Sequence, residues 1–202
     1  MDITRRKFLQ LATTAGFLFS LGKVSAASNE KILVVYFSRT GEEYGTGNIT
    51  KGNTEIVAEI IAQKLNADIF EIKPVTPYPV GYEDCKKIAS REKATKARPP
   101  FVGDVDNFSQ YTTVFVGYPI WYGDAPQITY TFLESHDFGG KKIVPFCTHG
   151  GSGLSSTDQT ISMTCPTAKV LQGFELRGAT AQNNRSQAEK VVEENLKRLG
   201  LI

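Results

Sequence analysis

The stretch that decides the fold is Lys31-Ile32-Leu33-Val34-Val35-Tyr36-Phe37-Ser38-Arg39-Thr40-Gly41, followed after a polar insert by Gly52-Asn53-Thr54. Residues 31–38 form a continuous apolar run with a β-branched pair at its centre, which predicts a strand buried on both faces, the kind found in parallel sheets. Hydroxyl-bearing and small residues follow at once. From Asn53 the period changes, and Ile56, Val57, Ile60, Ile61 and Leu65 fall on one stripe of a helix over 53–65. A buried strand, a hydroxyl-rich loop and a helix start make an anion site, because unpaired N–H groups and the helix dipole both favour negative charge there. The loop is neither a P-loop nor a GxGxxG fingerprint, and no Lys-Ser/Thr pair opens the helix to handle a triphosphate and magnesium.

The same alternation runs to the end of the chain. Residues 67–73 alternate apolar and polar, predicting a second strand near an edge. Residues 82–97 predict a charged helix closed by Pro99-Pro100. Residues 113–118 predict a third strand, 126–135 a helix with proline in its first turn, and 142–148 a fourth strand. Residues 155–165 predict a helix capped by Ser155 or Ser156, 170–177 a fifth strand, and 186–199 a last helix followed by Gly200. The fold class is therefore α/β: one three-layer sandwich on a five-stranded parallel sheet, with right-handed crossovers. In such sheets ligands bind beyond the carboxyl ends of the strands, where the strand order reverses. The turns after the first, third and fourth strands are the informative ones.

Residues 1–26 read as an address label, so the folded domain is expected over residues 27–202. Thr4-Arg5-Arg6-Lys7-Phe8-Leu9 precedes an apolar stretch over 11–21, too short to span a bilayer comfortably. Val24-Ser25-Ala26 supplies a small-residue cleavage pattern. The string is similar to the twin-arginine export motif, which implies passage of a folded protein to the periplasm. The mature chain has no membrane span in this reading. Of 23 basic and 21 acidic residues, four and one lie in the first 26, leaving 19 and 20. So nearly neutral a domain offers no electrostatic case for nucleic acid as a partner. Cys85, Cys147 and Cys165 form no CxxC or Cys/His cluster, and His136 and His149 are scattered, so no metal site is expected. The cysteines read as buried small apolar residues; a Cys147–Cys165 bridge is conceivable but does not follow from sequence.

Three loops carry the candidate site. The first supplies Ser38, Arg39, Thr40, Asn53 and Thr54. The second, Gly117-Tyr118-Pro119-Ile120-Trp121-Tyr122-Gly123, sets two adjacent aromatics between proline and glycine right after a buried strand, where a core would hardly place them. The third is Thr148-His149-Gly150-Gly151-Ser152-Gly153, whose glycines let backbone approach a planar ligand.

In that order the loops resemble those of the flavodoxin-like superfamily, over about residues 31–199. Ser38-Arg39-Thr40-Gly41 with Gly52-Asn53-Thr54 is similar to its phosphate loop, with eleven residues, Glu42 to Gly52, inserted before Asn53. The Trp121 loop is similar to the Tyr-Pro-x-Trp-Trp-Gly segment of flavodoxin-like reductases, and the third loop to Thr-Thr-Gly-Gly-Ser-Gly of quinone reductases. The resemblance implies strand order 2-1-3-4-5 and FMN as cofactor. It implies contacts from Ser38, Arg39, Thr40, Asn53 and Thr54 to the phosphate side, with either Thr40 or Thr54 as the main hydroxyl. Pro119, Ile120, Trp121, Tyr122 and Gly123 would line the ring, and Thr148, His149, Gly150, Gly151 and Gly153 its pyrimidine side. His149 is the candidate catalytic group, donating to flavin O2 or a substrate carbonyl, or else capping the loop. The implied activity is FMN-dependent oxidoreduction of a quinone or similar small-molecule electron acceptor; the alternative is a one-electron carrier serving a redox protein.

Overall fold

A computed structural model describes residues 30–202; the expected export signal over residues 1–26 lies outside the described residues. Five parallel strands form the central sheet: β1 (Ile32–Tyr36), β2 (Asp68–Glu71), β3 (Thr113–Pro119), β4 (Lys142–His149) and β5 (Phe174–Arg177). Their order in space is β5-β4-β3-β1-β2, the 2-1-3-4-5 arrangement expected. Ile32 to Tyr36 of β1 stand opposite Thr113 to Gly117 of β3. Gly117 to Pro119 of β3 stand opposite Phe146 to Thr148 of β4. The carboxyl ends of β1, β3 and β4 therefore finish together, and their loops meet at one edge.

Alternation along β1 makes the two cores. Leu33, Val35 and Phe37 point to one face, with Val116, Tyr118, Ile128, Phe132 and Ile161. Val34 and Tyr36 point to the other, with Val57, Ile60, Ile61, Val192 and Leu196. Helices α1 (Asn53–Leu65), α5 (Gly178–Asn183) and α6 (Arg185–Arg198) cover the second face, and α2 (Tyr82–Thr95), α3 (Gln127–Ser135) and α4 (Thr157–Thr164) the first. Truncating a side chain such as fully buried Phe132 to alanine would cost about 3–5 kcal/mol, since the packed sheet on one side and helices on the other cannot collapse into the space.

Several local expectations are corrected. The strand over 170–177 is split: Lys169–Val170 pairs with the start of β4, and Phe174–Arg177 with its end. Lys142 stands opposite Lys169 but Phe146 opposite Phe174, so one extra residue is accommodated between them. The bulge sits at Pro145, which has no N–H to donate, and Gly173 packs so tightly there that a Cβ would lie 2.6 Å from the Pro145 carbonyl oxygen. Pro126 is the N-cap of α3 rather than a residue of its first turn. Ser156 is the N-cap of α4, but its hydroxyl makes no capping bond. The insert is ordered: Gly41–Glu43 and Gly47–Ile49 form an antiparallel hairpin. Cys85, Cys147 and Cys165 are all buried and free.

Candidate functional site

The loops after β1, β3 and β4 enclose a cleft of about 210 Å³. It is lined by Arg39, Asn53, Pro119, Ile120, Trp121, Tyr122, Thr148, His149 and Gly150 among the residues singled out from sequence. Ser38, Thr40, Thr54, Gly123, Gly151 and Gly153 do not line it, and their positions explain why.

Ser38 lies at the start of α1, where its Oγ accepts a hydrogen bond of 3.1 Å from the Glu55 N–H. It satisfies one of the orphan donors that an anion would otherwise take. Thr40 is exposed. Thr54 is buried, and its hydroxyl is 2.7 Å from that of Thr148, tying the start of α1 to the end of β4. Arg39 borders the cleft but its guanidinium is engaged elsewhere. Nε donates to Glu43 Oε1 at 2.8 Å, and Nη1 to the carbonyls of Pro79 at 2.6 Å and Val80 at 3.0 Å. Nη2 donates to the Glu42 carbonyl. Arg39 is thus the clamp that holds the hairpin against the loop entering α2.

Trp121 packs edge-on against Phe37 and Tyr78, with centroids 5.4 and 5.1 Å away, and presents its remaining surface to the cleft. The next residues make a tight turn closed by the Trp121–Asp124 backbone pair. Tyr122 and Gly123 sit there at φ 53° and 74°. A tyrosine in the left-handed region costs about 1–2 kcal/mol. The turn is held from α2, where Lys93 Nζ donates to the Tyr122 carbonyl at 2.6 Å and Tyr122 donates to the Lys86 carbonyl at 3.2 Å. The third loop is anchored from below: Tyr118 donates to Thr157 Oγ1 at 2.8 Å, and Thr157 to the Leu154 carbonyl at 2.6 Å. The Gly153 carbonyl accepts from the Cys147 thiol at 3.7 Å.

His149 is buried, with Nε2 3.5 Å from Glu175 Oε2. Burial holds the imidazole below its ordinary pKa, Glu175 works against that, and Arg177 adds to it. Its Nδ1 has no hydrogen-bond partner, and neither does Asn53 Oδ1.

The sequence reading missed Glu43, Tyr44, Tyr82, Cys85, Lys86, Ala89 and Gly178, all in the cleft wall. One available signal was Tyr44, a lone aromatic in a polar, glycine-rich insert. The other was the apolar Cys85/Ala89 stripe of an otherwise charged helix, since these two alone in α2 are buried. Burial pushes the Cys85 thiol up to about 11, so it is a wall and not a nucleophile. Among the described residues no group of three or more His, Cys, Asp or Glu side chains could hold a metal ion.

A family model described as Flavodoxin matches residues 31–194. The chain belongs to the flavodoxin family. A provisionally assigned flavoprotein of Bacteroides eggerthii is 31% identical, with a TM-score of 0.68, covering 85% of this chain and 99% of its own. A similar protein of Bacteroides uniformis is 28% identical, with a TM-score of 0.66, over 81% and 98% of the two chains. A flavoprotein of Lactobacillus acidophilus in complex with FMN shares the fold at 19% identity and a TM-score of 0.60, over 78% of this chain and 99% of that one. Among curated proteins nothing matches. For a flavodoxin the implied cofactor is FMN, and the residues present fit it. A helix start offers N–H groups to a phosphate, an indole wall and backbone suit a flat ring, and two buried polar atoms, Asn53 Oδ1 and His149 Nδ1, lack partners that a polar ligand can supply.

Proposed function

We propose that this flavodoxin binds FMN and reduces a quinone or similar planar small molecule, acting in the periplasm after export by the twin-arginine route. FMN supplies the redox chemistry when bound. The chain's own residues bind, orient and exclude water. The first turn of α1 serves the phosphate, and Asn53 Oδ1 is an acceptor for a ribityl hydroxyl. Trp121 and Ile120 provide the wall for the ring. The Glu175 carboxylate lies 3.5 Å from His149 Nε2, so the neutral imidazole carries its proton there and the unpartnered Nδ1 is the acceptor left for a ligand. His149 therefore receives a hydrogen bond at Nδ1 in the neutral form, and donates to a carbonyl from that atom only when protonated.

The observation that carries the reading is the lining of the cleft. Tyr44, Tyr82, Trp121 and Tyr122 line it, Tyr44 coming from the hairpin, which suits a flat small molecule. The one-electron carrier remains the second reading, because family membership favours it. Charge speaks against it: α2, which lines the cleft through Tyr82, Cys85, Lys86 and Ala89, interleaves Glu83, Asp84, Lys86, Lys87 and Lys93, where a carrier steered to basic partners is expected to be acidic. Among the described residues no helix is long and apolar enough to cross a membrane.

A redox titration of FMN-loaded protein decides between the two. Entry of both electrons together, with turnover of a soluble quinone, is the expected result; separated single-electron steps without quinone turnover would support the carrier. Export rests on the sequence of residues 1–26, above all Thr4-Arg5-Arg6-Lys7-Phe8-Leu9. Replacing both Arg5 and Arg6 by lysine should leave precursor in the cytoplasm, and normal export of that variant would refute the route.

A further inference from the structure

We propose that Tyr44 on the inserted hairpin, together with Tyr82 and Lys86 of α2, forms an acceptor subsite on the hairpin side of the same cleft, for a planar, anionic aromatic compound. It rests on the FMN-oxidoreductase reading and adds to it a substrate class and the residues that select it.

Tyr44 is 68% exposed, although it sits in a hairpin that is firmly held. Arg39 ties that hairpin to the chain at Glu43, Pro79 and Val80. The Tyr44 ring lies over Gly150, where a Cβ would be only 2.6 Å from its Cδ1, so any other residue at 150 would push the ring away. The ring centroid is 6.4 Å from that of Tyr82, and the two planes are tilted by 35°. A large exposed aromatic on a rigid support, beside a second aromatic, loses little entropy when a flat molecule stacks on it.

Charge selects among flat molecules. The charged groups lining the cleft are Arg39, Glu43 and Lys86. The first two neutralise each other at 2.8 Å, with side chains only 7% and 17% exposed. Lys86 is left. Its partner Glu83 is an exposed i,i+3 neighbour outside the cleft, a pairing of little strength. The Lys86 ammonium stands 5.5 Å from the Tyr82 ring centroid, and so marks one end of the aromatic mouth as cationic. The mouth therefore suits a ring system that carries a carboxylate, sulfonate or ionised hydroxyl.

The test compares binding of 2-hydroxy-1,4-naphthoquinone, an anion at neutral pH, with neutral 2-methyl-1,4-naphthoquinone. Oxidised FMN-loaded protein is used without an electron donor, and affinity is read from quenching of protein fluorescence. FMN affinity is measured in parallel on each variant. The wild type should prefer the anion. Lys86→Met should abolish the preference while leaving the neutral quinone unchanged. Tyr44→Ala should weaken both quinones roughly tenfold, by more than it weakens FMN, and Tyr44→Phe should restore binding. Loss of FMN rather than quinone in Tyr44→Ala, displacement of FMN by the quinone, or an anion preference that survives Lys86→Met would each overturn the subsite. A wild type that binds no FMN but binds the quinones with the same dependence on Tyr44 and Lys86 would instead overturn the FMN reading and keep the subsite.

Discussion

The Thr54 hydroxyl shows what a motif conceals at the level of one residue. By resemblance it is a phosphate ligand, yet it spends itself on Thr148, buried between α1 and β4. Thr54→Ala would leave the buried Thr148 hydroxyl without its partner. We expect a loss of about 1–3 kcal/mol in stability of the FMN-free protein by urea unfolding. Unchanged stability with weakened FMN binding would return Thr54 to the phosphate. His149 gives a pH signature. Its folded pKa lies below the ordinary 6.5, because burial outweighs the attraction of Glu175. The unfolded chain then takes up the proton more readily, so the contribution to stability is complete above that ordinary value. It is lost as pH falls through 6.5 towards the lower folded value. Unfolding midpoints measured from about pH 8 down to about pH 5 should fall less in His149→Gln than in the wild type; parallel curves would refute the assignment.

At the scale of elements, legibility followed the length and strength of the periodic signal. The α1 stripe from Ile56 to Leu65 located that helix at Asn53–Leu65, and β1, β3 and β4 were plain from their apolar runs. The hairpin was hidden because its strands, Gly41–Glu43 and Gly47–Ile49, are too short to show alternation. The break in the edge strand came from Pro145 on the neighbouring strand, which no local pattern at 171–173 could announce. The cleft was legible where three loops contribute to it. It was illegible on the side of α2, since only folding brings Tyr82 and Lys86 opposite residues distant in sequence. Arg39 is the link between hairpin and body. In Arg39→Ala the Glu43 carboxyl, already raised by burial, loses the group that compensates it. The hairpin can open alone, so the damage should stay local. Hydrogen exchange should quicken across residues 41–49 while the global unfolding midpoint moves little; a collapse of the midpoint, or unchanged exchange, would show that Arg39 is not the clamp.

For the whole molecule, the site stands at the confluence of three strands that are central or next to central in the sheet, with only one loop per strand to spare. FMN would touch the loops after β1, β3 and β4 together, and those strands carry both cores. Unfolding any of them destroys the site, so the unfolded chain should have no comparable affinity for FMN. Stabilisation should then follow simple linkage. With free FMN at a hundred times its dissociation constant, the native state gains about 2.7 kcal/mol. For a domain of this size that corresponds to a rise of roughly 5–11 °C in the thermal midpoint. The rise should grow with the logarithm of FMN concentration, and riboflavin, which lacks the phosphate, should give less at equal concentration because the start of α1 would gain no anion. The measurement is a thermal melt of FMN-free protein against increasing FMN and riboflavin. Equal shifts from the two would remove the α1 start from the binding site, and no shift from FMN would remove FMN from this cleft.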